Sequence, residues 1–415
     1  MKVGYILLDG CADRPSPQLN FTTPLEAAYT PSIDEVARRS NLGSVVTVGR
    51  GVAPESDIAV FNMLGYSFDE GYPGRGVIEA VGSGLNVRPG DLALRANLAS
   101  AKRRRIVDRR AGRNLTQQEA VRLAEGLNGI KLTGAELEFR ATISYRGVLV
   151  IKADQPLSAE ISNTDPAYSK LSGFGAARPT VSDESVLASR PESKTAAARR
   201  AADLVNEFTT KSAKVLSENP VNRERVREGK LPANCVLLRD AGDRVPEVES
   251  FEQKYGMKGT ALVEMPAEIG IAKILRMKMI AVKDRNDMKE KAALFMRELR
   301  EGTVVYVHIK GPDEFGHDGD APGKKRVIEV IDRDFFSPLV GRGGDLKLGV
   351  SCDHSTPCTI KMHASDPVPL MIGTNAKGDG MRFTEKGASK GSLGTIRGKD
   401  VLPLITKNQV GNRAS

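Results

Sequence analysis

The feature that most constrains the fold is a strand rhythm that stops and later resumes. Residues 3–8 form an unbroken apolar run that ends at Asp9-Gly10, the pattern of a buried strand running into a loop. A helix from about Ser32 and a short strand at 44–48 follow, giving the strand–helix–strand order of a mostly parallel sheet. After Gly74-Arg75-Gly76 the texture changes to short β-like runs at 92–99 and 141–151, with polar connectors such as 155–195. From about residue 260 the first rhythm returns. Residues 279–282, 303–309 and 346–351 read as core strands and 287–300 as a helix. The expected architecture is α/β: a discontinuous core of residues 1–75 and 260–415, with a mostly parallel central sheet flanked by helices, and an inserted α+β cap domain at 76–259.

The 415 residues leave ample chain for two such domains. Lys and Arg number 61 against 52 Asp and Glu, a net charge of +9, which calls for an acidic partner: nucleic acid, anionic lipid or a phosphorylated metabolite. Residues 102–113 hold seven basic side chains and one acidic one, so most of this surplus is local. Aromatic residues make up 5% and Trp is absent, which leaves little material for the stacking surfaces of single-strand nucleic-acid binders. A nucleic-acid partner is thereby disfavoured, and the charge alone leaves the acidic partner otherwise open. The first apolar run is too short for a signal peptide, and no stretch approaches the ~18 apolar residues of a membrane span, so a cytoplasmic protein without a membrane partner is expected. Cys11, Cys235, Cys352 and Cys358 show no C-x-x-C spacing and read as buried thiols rather than disulfides or a zinc site.

All four histidines lie between 308 and 363. Asp313 and His317 are four apart, on one face if the backbone is helical. Asp353-His354 ends a predicted strand, His363 follows in the next loop, and Asp9 ends the first strand. Ions such as Mn²⁺ and Zn²⁺ take mixed carboxylate and imidazole ligands, and two of them need about six to eight protein donors. Asp9, Ser56, Asp313, His317, Asp353, His354 and His363 supply seven. Singly, each has a plainer reading: a turn cap at Asp9, an i,i+4 surface pair at Asp313/His317, a helix N-cap at Ser56. Jointly they point to a metal centre. His308, without a clustered partner in sequence, reads as structural. A serine hydroxyl at a helix N-terminus beside a metal is able to ionise and attack phosphorus.

With Asp9-Gly10, Pro54-Glu55-Ser56-Asp57, Asp313…Gly316-His317-Asp318-Gly319-Asp320, Asp353-His354-Ser355-Thr356-Pro357 and His363…Asp366-Pro367-Val368-Pro369 in this order, the chain resembles the archaeal type of cofactor-independent phosphoglycerate mutase, in the alkaline phosphatase superfamily. Asp108-Arg109-Arg110-Ala111-Gly112-Arg113 and Asn222-Arg223-Glu224-Arg225 extend the likeness over nearly the whole chain. The resemblance implies an alkaline-phosphatase-like core that holds two divalent ions, one on Asp313, His317 and His363, the other on Asp9, Ser56, Asp353 and His354. Mn²⁺ is the commonest in the family, with Zn²⁺, Co²⁺ or Mg²⁺ in some members. It also implies that Ser56 takes the phosphoryl group of 3-phosphoglycerate and returns it to the other hydroxyl, giving 2-phosphoglycerate without 2,3-bisphosphoglycerate. The cap would retain the glycerate and exclude water. Asp108 and Arg109 are the further catalytic candidates. Arg95, Asn97, Asp165, Asn222, Arg225 and Arg239 are the substrate-binding ones, since the planar guanidinium fork suits carboxylate and phosphate alike.

Three positions depart from the family pattern. Glu55 precedes the nucleophile where Gly is common, Ala167-Tyr168 follow Thr164-Asp165-Pro166 where His is common, and residues 265–272 lack the Lys often found before Gly270. Two competing readings stand beside the mutase. Another metal-dependent phosphatase, phosphodiesterase or phosphopentomutase of the superfamily would differ in its products. A nucleic-acid binder using residues 102–113 would show steeply salt-dependent binding that survives metal removal.

Overall fold

The N-terminal apolar run is strand β1 (Lys2–Leu8), buried from Val3 onward, in a computed structural model that describes residues 1–68, 72–171, 174–177, 185–282, 284, 286–341, 346–373 and 378–407. A helix, Pro31–Arg38, leads into β2 (Ser40–Val46). The middle of the chain supplies β3 (Leu92–Lys102), β4 (Arg105–Asp108), β5 (Ala135–Ala141), β6 (Arg146–Ala153), β7 (Tyr168–Leu171), β8 (Phe174–Ala177) and β9 (Cys235–Gly242). The remainder supplies β10 (Lys258–Leu262), β11 (Lys278–Ile280), β12 (Thr303–Ile309), β13 (Leu346–Cys352), β14 (Val368–Gly373) and β15 (Gly394–Arg397). Two compact units result, one of Met1–Ser67, Glu249–Glu264 and Leu275–Ser415, the other of Phe68–Val248 and Met265–Ile274.

The first unit is built on one sheet in the order β11-β10-β12-β1-β13-β14-β2-β15. Among these strands only β14 runs against the rest, so the α/β class and mostly parallel sheet read from the strand rhythm are those of the structure. β1 lies between β12 and β13, and Leu8 is level with Ile309 on one side and Cys352 on the other. That register delivers Asp9, Lys310 and Asp353 side by side at the carboxyl ends of three adjacent parallel strands, where α/β sheets place their ligands. Tyr5, Phe295, Tyr306, Phe335 and Phe336 fill the layers around the sheet.

The second unit holds an antiparallel sheet, β4-β3-β6-β5, with β9 also paired to β3, and a separate β7–β8 hairpin. Leu94, Leu98, Leu123, Leu127, Phe139, Phe208 and Leu238 form its core, contributed by the sheet and by helices Gln117–Asn128 and Ala196–Glu218. The run expected at 141–151 is the turn and returning strand of the β5–β6 hairpin, Ala141 pairing with Gly147. The basic stretch Lys102–Arg105 is the exposed tip of the β3–β4 hairpin, with Arg103 left-handed at φ 58.

Composition could not place helix Pro266–Ile274, which sits in the second unit although the expected cap ends at 259. Its backbone meets helix Arg75–Gly82 through glycines: a Cβ on Gly270 would lie 2.0 Å from the Ile78 carbonyl oxygen. Conversely, residues 249–259 belong with the first unit. The four cysteines are free and buried. Among the described residues, no helix is long and apolar enough to cross a membrane.

Candidate active site

Asp9 and Asp353 leave β1 and β13 buried and adjacent. Gly10 N–H and His354 N–H both donate to Asp353 Oδ1, at 2.9 and 3.0 Å. Gly10 is left-handed at φ +55, and a Cβ there would meet Asp313 Oδ1 at 2.5 Å, so glycine is what lets this turn close on the site. His354 Nε2 faces Asp353 Oδ2 at 3.3 Å and Asp9 Oδ1 at 3.7 Å. A second triad forms where β12 runs into helix Pro312–Asp318. As the four-residue spacing predicts, that helix turns Asp313 and His317 to one side, with His317 Nε2 3.5 Å from Asp313 Oδ2. His363 Nε2 closes the triad at 3.5 Å from Asp313 Oδ1. In each triad the ligand atoms lie within 4.8 Å of one another. The rings of His354 and His363 stack at 3.8 Å between centroids, so the triads are contiguous.

The proton positions suit cations. His317 Nδ1 is 3.1 Å from the Lys361 carbonyl oxygen and His363 Nδ1 is 2.8 Å from that of Pro54. Carbonyls only accept, so both Nδ1 atoms carry a proton, and Nε2 is the nitrogen that each ring turns to Asp313. Asp9 Oδ1 is buried with no hydrogen-bond donor. Burial raises the Asp9 carboxyl to about 7, opposed by Lys310 and reinforced by Asp353 and Asp313. Burial lowers His354 to about 4. Burial also pulls His363 down, but Asp313 outweighs it and, with Glu55 contributing, lifts the imidazole to about 10. Asp313 stays well below the usual carboxylate range despite its burial, held there by His363, His354 and His317. Imidazole Nε2 atoms turned to carboxylates, with the buried Asp9 Oδ1 lacking a donor, are a donor set that fits divalent metal ions.

Ser56 lies at the start of helix Ser56–Met63, as its first residue rather than its cap. Glu55 holds the cap position and makes no side-chain cap bond. The Ser56 Oγ is 3.0 Å from His354 Nε2. Two residues the sequence reading did not assign to the site belong to its surroundings. Lys310 Nζ stands 3.2 Å from Asp9 Oδ2, and His308 Nε2 lies 3.4 Å from Asp353 Oδ2. The signal for both was their place at the end of β12, one strand over from Asp9.

In the second unit, charges of alternating sign form a chain. Glu79 Oε1 accepts from Arg75 Nε at 2.8 Å and from Arg95 Nε at 3.0 Å, Arg95 reaches Asp240 at 3.3 Å, and Arg239 lies 3.5 Å from Asp240 and 3.4 Å from Asp165. Arg109 also pairs with Asp165. Four guanidiniums thus share three carboxylates, leaving one positive charge in excess. Tyr168, given no role from the sequence beyond its departure from the family pattern, stacks under Arg239 at 4.4 Å and Arg109 at 5.5 Å from its ring centroid. Asn97 is buried near this chain, and its Oδ1 has no donor.

The other expected substrate residues are engaged elsewhere. Asn222 donates to the Leu216 and Ala233 carbonyls and accepts from Ala233 N–H. Arg225, fully buried, bonds Glu119, Asn114 and the carbonyls of Ala111 and Leu231. Both side chains are engaged within the packing of helix Pro220–Arg227. Asp108 Oδ1 accepts from Arg110 and Gly112 N–H at 2.7 and 3.1 Å. It therefore shapes the loop after Arg109, and Arg225 braces the far side of that loop.

Comparison with known proteins places this arrangement. The profile of the 2,3-bisphosphoglycerate-independent phosphoglycerate mutase family matches residues 37–222. Mutases of that name from Aeropyrum pernix and Methanopyrus kandleri are 44% and 40% identical to this chain, covering 96% and 97% of it and 97% and 95% of their own lengths. The solved cofactor-independent phosphoglycerate mutase of Thermoplasma acidophilum superposes with a TM-score of 0.63 at 30% identity, over 97% of this chain and 98% of its own. A solved protein from Pyrococcus horikoshii superposes with a TM-score of 0.78 at 27% identity, over 99% of each chain.

Proposed function

This chain belongs to the 2,3-bisphosphoglycerate-independent phosphoglycerate mutases, and from that membership we propose that it interconverts 3- and 2-phosphoglycerate through a phosphoserine on Ser56, beside two divalent metal ions. The observation that carries this reading is the Ser56 Oγ at 3.0 Å from Nε2 of His354, at the seam between the two triads. Asp313, His317 and His363 would hold one ion. Asp9, Asp353, His354 and Ser56 would hold the other, with Mn²⁺ the best match to the donor set and Zn²⁺, Co²⁺ or Mg²⁺ the alternatives. Such ions neutralise the non-bridging phosphoryl oxygens and lower the serine pKa.

The chain's own groups account for the remaining steps. Ser56 opens helix Ser56–Met63, so a phosphate carried on it lies at the helix N-terminus, where the helix dipole favours negative charge. Lys310 adds a cation 3.2 Å from Asp9. The glycerate carboxylate and hydroxyls are assigned to Arg109 and Arg239, oriented by Asp165, with Arg95 and Asn97 completing the set. The surplus positive charge of that chain supports an anionic ligand. Asp108 acts by shaping the Arg109 loop.

No 2,3-bisphosphoglycerate enters this scheme, because the phosphoryl group leaves and rejoins the same glycerate. The test is peptide mapping by mass spectrometry after a rapid acid quench of the Mn²⁺-loaded protein with 3-phosphoglycerate. Phosphate is expected on the peptide containing Ser56; phosphate on another residue, or on none while turnover proceeds, contradicts the proposal.

A further inference from the structure

The Thr356 hydroxyl touches both triads. Its Oγ1 donates to Asp313 Oδ1 at 2.6 Å and lies 3.0 Å from His354 Nδ1. A hydroxyl has one proton and two lone pairs, while an ionised carboxylate only accepts. With the proton committed to Asp313, the oxygen is left to accept from His354 Nδ1–H. The opposite arrangement needs a protonated Asp313 donating to Thr356 and a His354 protonated at Nε2, which would block the nitrogen facing Ser56 and Asp353. We propose that Thr356 is a positioning residue for both metal triads, fixing His354 as the Nδ1–H tautomer and Asp313 as an ionised acceptor with one shared hydroxyl. The proposal rests on the two-metal reading above.

The surroundings hold that hydroxyl in place. Thr356 is fully buried, its N–H donates to the Ala12 carbonyl at 3.1 Å, and its own carbonyl accepts from the buried Lys324 Nζ at 2.9 Å. Lys324 also binds Asp13 Oδ2 at 2.8 Å, tying the loops after β1 and β13 together. A Cβ on Gly10 would stand 2.6 Å from Thr356 Oγ1, and one on Gly316 2.4 Å from the Thr356 carbonyl oxygen. The contrast with the other two imidazoles is instructive. His317 and His363 rest on backbone carbonyls, acceptors that leave no choice of proton. His354 alone of the three rests on a group able to donate or accept, and its choice is made by the neighbouring triad. Ligand orientation by outer partners of this kind is worth roughly 10–100-fold in metal affinity.

Two measurements on the full chain test this. In calorimetric titration of the metal-stripped protein with Mn²⁺, the unaltered chain is expected to bind two ions. Thr356→Val should bind them roughly 10–100-fold more weakly, and Thr356→Ser should recover most of the loss. In ¹⁵N NMR of the histidine-labelled, metal-free, unaltered chain, His354 should carry its proton on Nδ1, and in Thr356→Val that preference should be lost. Equal Mn²⁺ affinity in Thr356→Val, or an Nε2–H tautomer of His354 in the unaltered chain, overturns the proposal. Should Thr356→Val fail to fold, the tautomer of the unaltered chain still decides it. Fewer than two ions bound by the unaltered chain would instead contradict the two-metal reading, which separates the two failures.

Discussion

Ser56 and His354 meet at 3.0 Å across 298 residues of sequence. The contact joins the start of a helix in the first third of the chain to the carboxyl end of β13, and the register of β13 beside β1 is what aims His354 at it. A serine so placed depends on the sheet being assembled, so activity and folding of the first unit are expected to be lost together when that register is disturbed.

Asn222 spends its amide on three buried hydrogen bonds. Asn222→Ala is therefore expected to lower the unfolding free energy by about 2–3 kcal/mol, since buried partners are left unpaired. The KM for 3-phosphoglycerate should stay within about twofold. Denaturant titration and steady-state kinetics check both. A raised KM at unchanged stability would restore Asn222 to the substrate site.

Arg109 offers the opposite pattern. Its side chain is 28% exposed and paired to the fully buried Asp165. Arg109→Met should lower the melting temperature only modestly, because Arg239 and Ala167 N–H still serve Asp165, and raise KM by roughly 10–100-fold, the worth of one charge-assisted hydrogen bond to a substrate anion. Unchanged KM would remove Arg109 from the substrate set.

Glu385 gives a pH signature remote from the triads. It accepts from Thr23 Oγ1 at 2.7 Å and from Asp13 N–H at 3.0 Å. Burial lifts its carboxyl from 4.5 to about 7, against the pull of those donors and of Lys324. The folded chain thus holds a proton that the unfolded chain has released, and the contribution of this group to stability falls as pH rises from about 4.5 to about 7. Glu385→Gln should flatten that part of the stability–pH curve, by at most one proton's worth of slope. Identical curves for the two proteins would contradict the assignment.

Much of the first unit was legible because strand ends and residue types coincide. An apolar run that stops at an acidic residue marks both the strand and the place where its ligand emerges, and scarce histidine sharpened the pattern. Lys310 and His308 escaped because their partners, Asp9 and Asp353, are distant in sequence and come near only through the β12–β1–β13 register. In the second unit the sequence offered Arg and Asn motifs without saying which were spent. Arg225 and Arg109 look alike on paper; one is enclosed by Glu119 and backbone carbonyls, the other remains partly open on Asp165. Tyr168 was hidden for a similar reason, since an aromatic residue in a polar connector gains meaning only when two guanidiniums are found above its ring.

The central claim, phosphoryl transfer through Ser56 at a two-metal centre, is tested most directly by a mutase assay without 2,3-bisphosphoglycerate. The metal-stripped protein, the Mn²⁺-reconstituted protein and reconstituted Ser56→Ala would be compared on 3-phosphoglycerate. The expected result is formation of 2-phosphoglycerate, without net release of inorganic phosphate, by the reconstituted protein alone, with Ser56→Ala reduced on the order of 10³-fold or more. Full activity in the metal-stripped protein or in Ser56→Ala would contradict the account.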